Sequence, residues 1–139
     1  MFLKYALLAD TVTLDASGKA TAVGIFDIIY AVGFPVLQRD MSLIALLEGT
    51  AAEKDEYKLT VELRDEKANK FASFEQTIKL APTPNRQVMR ARVLVRIQDL
   101  PFVHPGEYEF VMFINDRFLG RTTFSVKATG PIEKSAEEE

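Results

Sequence analysis

The chain contains no cysteine and no tryptophan, and a single histidine, His104. Without thiols it has neither a disulfide framework nor a thiolate metal centre, and histidine-assisted chemistry must pass through one residue. Its seven glycines are scattered, with no Gly-x-Gly pair, so phosphate-cradling loops and the dinucleotide fingerprint are excluded. No serine stands in a Gly-x-Ser-x-Gly elbow, the setting of a hydrolase nucleophile. Long apolar runs are missing as well. The run after Lys4 covers only Tyr5 to Ala9 before Asp10 ends it, which is short for a secretory core and far short of a membrane span. A soluble, cytoplasmic protein is the expectation.

An excess of charge is also lacking outside one segment. Lys plus Arg is 17 against 20 Asp plus Glu, for a net of −3, and Glu133, Glu137, Glu138 and Glu139 against Lys134 place that whole excess in the last ten residues. A neutral body lacks the basic surplus on which nucleic-acid binding draws, so nucleic acid is not an expected partner. Residues 130–139 are too polar to pack and are expected to form a disordered acidic tail. The remaining 1–129 read as one domain, and at 47% apolar residues they can build a core without staples.

The dominant period is two. In Lys58–Asp65, Leu59, Val61 and Leu63 oppose Lys58, Thr60, Glu62 and Arg64, the pattern of a half-buried strand. Arg90–Ile97 sets Ala91, Val93, Val95 and Ile97 against Arg90, Arg92 and Arg96, and in Phe118–Lys127, Phe118, Thr122, Phe124 and Val126 oppose Leu119, Arg121, Thr123, Ser125 and Lys127. Met41–Glu48, Tyr108–Ile114 and Ala20–Val32 are apolar on both faces, as central or covered strands are; Gly24 would mark a bulge in the last. Phe2–Ala9 and Phe71–Leu80 complete the set.

Turn chemistry separates these runs at Asp15–Lys19, Gly33–Pro35, Glu53–Glu56, Asp65–Asn69, Pro82–Asn85, His104–Gly106 and Asn115–Arg117. About eight short strands and no amphipathic helix predict an all-β fold, an antiparallel β-sandwich of immunoglobulin-like or C2-like type, with a barrel as the alternative. Gly106 and Tyr108 open the penultimate strand, where sandwiches place a tyrosine that bonds back to upstream backbone. A structural role is expected for both.

Candidate chemistry is sparse. His104 lies in a Val-His-Pro-Gly turn, with Asp99 as the carboxylate that could approach it. Asp10, Asp15, Asp40, Asp55, Asp65, Asp99 and Asp116 fall at strand ends, where calcium-binding sandwiches hold ligands, yet aspartate also favours turns for its own backbone bonding. Arg90 and Arg92 lie about 6.6 Å apart on one strand face with Arg96 beyond, a row suited to phosphates or an acidic partner. The alternative is cross-strand pairing with Glu62, Glu75, Glu107 or Glu109. Asp27 sits among Ile25, Phe26, Ile28 and Ile29, and a carboxylate buried there needs a partner.

Tyr5-Ala-Leu-Leu-Ala-Asp10, Gly18-Lys19, Gly24-Ile-Phe-Asp27, Leu47-Glu-Gly49, Pro105-Gly-Glu-Tyr-Glu-Phe110 and Phe124-Ser-Val126 together resemble a family of small, single-domain, all-β bacterial proteins of unknown function. The resemblance covers nearly all of the chain except the tail. It implies a sandwich and carries over no catalytic residue; Asp10 and Asp27 match its pattern and are the acidic positions to test.

The expected function is therefore a non-enzymatic module that binds a protein or small ligand, with no cofactor, metal or catalytic residue assigned. A C2-like calcium or acidic-lipid module using the loop aspartates and the arginine row is the alternative, followed by an enzyme built on scattered carboxylates. A homodimer packing sheet on sheet would cover strands such as Tyr108–Ile114.

Overall fold

A computed structural model describes residues 1–49, 56–79 and 89–129. The expected acidic tail and the Pro82–Asn85 turn lie outside these residues, as do Asp55 and most of the Glu53–Glu56 turn. Nine strands follow in order: β1 (Phe2–Leu14), β2 (Ala20–Phe26), β3 (Ile28–Ala31), β4 (Val36–Gly49), β5 (Glu56–Asp65), β6 (Lys70–Lys79), β7 (Met89–Phe102), β8 (Gly106–Ile114) and β9 (Arg117–Ala128). They form a four-stranded sheet, β2-β1-β4-β7, and a five-stranded sheet, β3-β9-β8-β5-β6. The fold is all-β, and among the described residues no helix is long and apolar enough to cross a membrane.

The count exceeds eight because Ala20–Val32 is two strands. The chain pairs antiparallel with β1 through Phe26, then passes to the other sheet at Asp27 and runs parallel to β9 from Ile28 to Ala31. Among the described residues this is the one parallel pair in otherwise antiparallel sheets. Nor is Gly24 a bulge, since the β1–β2 register runs unshifted from Leu8↔Phe26 to Leu14↔Ala20. Gly24 has φ +70, and the Asp10 carboxylate lies over it from β1, where a Cβ would collide with the carboxylate oxygen.

Inward residues of both sheets share one core. Leu43, Leu47, Val93, Ile97 and Phe102 come from the first sheet, and Leu59, Leu63, Phe110, Met112 and Phe124 from the second. The alternation expected in β5 holds, with Leu59, Val61 and Leu63 buried, as it does for Val93, Val95 and Ile97 in β7. In β9 it slips. A register shift between Met112 and Phe113 pairs Phe113 with Phe118 and Met112 with Gly120, so one extra residue reverses the phase. Phe118 is exposed while Leu119 packs on the core.

The first sheet also curls. β2 and β7 are its opposite edges, yet Arg92 on β7 donates from Nη1 to the Gly18 carbonyl, in the β1–β2 turn, at 2.6 Å. The hairpin must therefore arch over the outer face of the sheet. Beneath it Ala9, Val12 and Ile44 form a second buried cluster with Ala22 and Leu94 packed on it. This explains why every residue of Met41–Glu48 is buried.

Candidate functional site

The widest meeting of aromatic side chains lies where β7 turns into β8. Gly106 opens β8 at φ +155, and a Cβ there would stand 2.8 Å from Oε1 of Glu66, a crowded backbone geometry that glycine takes most easily. The turn brings Tyr108 back over His104. The Tyr108 hydroxyl donates to the His104 carbonyl at 2.6 Å, and the two rings stack with centroids 6.1 Å apart. Phe102 and Phe124 pack on Tyr108 at 4.9 and 5.7 Å, and Phe71 meets it edge-on at 5.6 Å. Burial, then the charges of Asp65 and Glu66, push the Tyr108 phenol above its usual pKa, so it remains a hydrogen-bond donor.

Beside this stack a groove of about 270 Å³ is lined by Asp65, Phe71, Pro101, Phe102, Val103, His104 and Tyr108. Val103 is 66% exposed and Phe71 41%, so the lining offers apolar surface to solvent, with one carboxylate at its rim. Asp65 Oδ1 accepts the amides of Lys67 and Asn69, each at 2.9 Å. These bonds, chiefly the Asn69 amide, and the nearby His104 hold its carboxyl below the usual range. Asp65, and not Asp99, is the carboxylate that shares a groove with His104. His104 Nδ1 lies 3.2 Å from the Pro105 carbonyl and 3.4 Å from the Tyr108 hydroxyl, so this ring is engaged with its own turn.

The arginine row is dispersed into separate contacts. Arg90 Nε donates to Glu48 Oε2 at 2.6 Å, and Lys4 approaches the same oxygen at 3.6 Å. The Arg90 hydrogen bond, with Lys4 assisting against burial, holds Glu48 below its ordinary value. Arg92 reaches Gly18 and, at 3.5 Å, the Tyr5 hydroxyl. Arg96 lines a groove of about 230 Å³ with Asp10, Asp40, Ser42 and Gln98. None of the expected partners, Glu62, Glu75, Glu107 or Glu109, pairs with this row among the described residues. They stand on the other sheet, where Glu62 binds Arg64 and Glu109 faces Arg121.

Asp27 is exposed, contrary to the expectation of a buried carboxylate, because it sits where the chain leaves one sheet for the other. It lines a groove with Leu7, Ile25, Thr122 and Thr123, separate from the groove that holds Asp10. Of the loop aspartates, Asp15 repeats the Asp65 arrangement: its Oδ1 accepts the amides of Ser17 and Lys19 at 2.8 and 3.0 Å. The Ser17 hydroxyl and the Lys19 amide lower its pKa. Both carboxylates thus serve their own turns, and among the described residues no three Asp, Glu or His gather in metal-binding geometry. Sequence reasoning missed Phe71 and Val103 as surface groups and Glu48 as a buried charge. The Val103-His104-Pro105 turn after an apolar strand end was the available signal for Val103.

No curated protein matches the chain. Among solved structures it is similar to the Pseudomonas fluorescens alkylpurine DNA glycosylase AlkC bound to DNA containing an abasic site analog, at 17% identity and a TM-score of 0.43, over 73% of this chain and 28% of that one. The chain thus spans less than a third of that protein's length. A family model matches residues 4–127, nearly the whole described body, and the chain belongs to that family, a family of unknown function (DUF6941).

Proposed function

We propose that the chain is a non-catalytic binding domain that takes an apolar side chain of a protein partner, flanked by a basic residue, into the groove beside Tyr108. The observation that carries this reading is the groove itself: exposed Phe71 and Val103 over a rigid aromatic floor, with the ionised Asp65 at the rim. A concave apolar surface with one oriented charge suits recognition. The engagement of His104 with its own turn supports binding over acid–base catalysis, and the neutral body favours a protein partner over nucleic acid.

An immunoglobulin-like sandwich is the fold type that accompanies this reading. Three features support it over a C2-like type: β4 and β7 face β5, β8 and β9 across the core, β3 runs parallel to β9 after the sheet switch, and the tyrosine hydrogen bond lies at the β7–β8 corner. The test is an NMR titration with capped dipeptides that pair an aromatic residue with arginine. Amide shifts confined to Phe71, Val103, His104 and Asp65, and weakened by Val103→Asp, are the expected result. Shifts scattered over the surface, or none at solubility, would refute it.

A further inference from the structure

A sheet edge presents unpaired backbone N–H and C=O groups, and folded proteins blunt such edges with charge, proline or shortness. Of the four edges among the described residues, three are blunted so: β7 carries Arg90, Arg92, Arg96 and Pro101, β6 carries Lys70, Glu75 and Lys79, and β3 has four residues. The fourth is β2, Ala20-Thr-Ala-Val-Gly-Ile-Phe26, which has neither charge nor proline. Its register on β1 is unbroken. Ala22 and Phe26 turn inward, whereas Thr21, Val23 and Ile25 are exposed, Val23 at 60% and Ile25 at 59%. Four residues to either side of Val23 stand Lys19, in the hairpin turn, and Asp27, at the bend where the chain leaves this sheet and the Asp27 carbonyl accepts the Ser125 amide; both are exposed. Neither has an ion-pair partner among the described residues.

We infer that β2 pairs edge to edge with β2 of a second copy, antiparallel about a two-fold axis at Val23. In that register Val23 faces the partner's Val23, and Thr21 meets the partner's Ile25. Lys19 then stands opposite the partner's Asp27, at both ends at once, because the two positions are symmetric about Val23. The edge is thus complementary to itself in shape and charge, as an isologous interface requires: apolar at the centre and ionic at both ends. Two four-stranded sheets become one continuous sheet, and the exposed valine and isoleucine gain cover.

Sedimentation of the full chain over a concentration series tests this. A reversible dimer in the micromolar range is expected, since one strand edge buries less than about 1,200 Å². Val23→Lys sets two lysines face to face on the axis and should give a folded monomer. Lys19→Asp and Asp27→Lys each place like charges at both ends and should weaken the dimer about tenfold or more. Mixing those two variants restores opposite charges at both ends, so a heterodimer should form, and the double variant should regain self-association. A wild type that stays monomeric at its highest soluble concentration overturns the inference and leaves the edge to an extended segment of another protein. A dimer indifferent to Val23→Lys and to the charge exchanges overturns it too, by placing the contact elsewhere.

Discussion

The central strands of the two sheets, β4 and β8, face the same problem and solve it differently. Each is apolar on both sides, and each puts one side into the shared core. On the outer side of β4, the chain lays its own β1–β2 hairpin over Ile44 and Leu94, creating a second buried cluster. On the outer side of β8, Val111 is 3% exposed. Its cross-strand neighbours are Glu62 and Arg121, and nearby Arg64 and Arg121 lie over the rings of Phe113 and Phe118 at 5.7 and 5.6 Å. Long charged side chains bury apolar surface with their stems while their heads stay wet. Charged side chains of the neighbouring strands thus surround the outer face of β8 at Val111.

Truncations to alanine on the two strands, compared per carbon removed, sharpen this contrast most. Ile44→Ala opens a cavity beneath the hairpin and should cost about 3 kcal/mol. Val111→Ala loses about 1.5 kcal/mol of burial, because flexible arginine stems can settle into the space. Urea unfolding of both variants checks the ordering; equal losses per carbon removed would mean that side-chain cover packs as tightly as backbone cover. A next effect concerns how β8 is anchored. Tyr108→Phe removes the bond to the His104 carbonyl and should cost about 1–2 kcal/mol. The groove lining should persist, since the ring still packs between Phe102 and Phe124.

Acid separates the sheets further. Glu48 closes the apolar run of β4 and is held below its ordinary value of 4.5 by Arg90 and Lys4. A carboxylate depressed in the fold contributes stability that is present above its unfolded pKa and is lost as pH falls through its lower folded one. Melting temperature should therefore drop as pH falls below about 4.5, and Glu48→Gln should flatten that drop while leaving Val111→Ala and wild type parallel. Asp65→Asn should flatten it at the other sheet, through the β5–β6 turn. An unchanged acid slope in both variants would remove these carboxylates from the pH response.

Much of this architecture was legible in the sequence, and the misses share a cause. Period-two alternation located β5 and β7, and Gly106-Glu-Tyr108 pointed to the corner, because both signals are local. The switch at Asp27 was hidden because a strand that changes sheets stays extended and apolar throughout. The phase of Phe118 was hidden because the extra residue in β9 is defined only against β8. Arg90 and Arg92 found Glu48 and Gly18, respectively 42 and 74 residues away, and no spacing rule reaches so far. The groove of Asp65, Phe71 and Val103 likewise joins the β5–β6 and β7–β8 turns, which sequence order keeps apart.

The smallest expected effect decides whether the hairpin is pinned or merely packed. Arg92 is exposed, and its bond to Gly18 is the contact that ties the hairpin tip across β4 to the far edge of the sheet. A solvent-facing charged donor contributes about 1 kcal/mol or less, so Arg92→Ala should barely move the melting temperature. Hydrogen exchange reads what stability does not. If Arg92 pins the tip, the amide of Gly18, bonded to the Asp15 carbonyl at 3.0 Å, should exchange faster in the variant, while Val12 and Ile44 keep their protection. If the second cluster alone holds the hairpin down, the tip should exchange as in wild type. Backbone cover on β4 would then rest on Ala9, Val12 and Ile44 without help from the arginine above them.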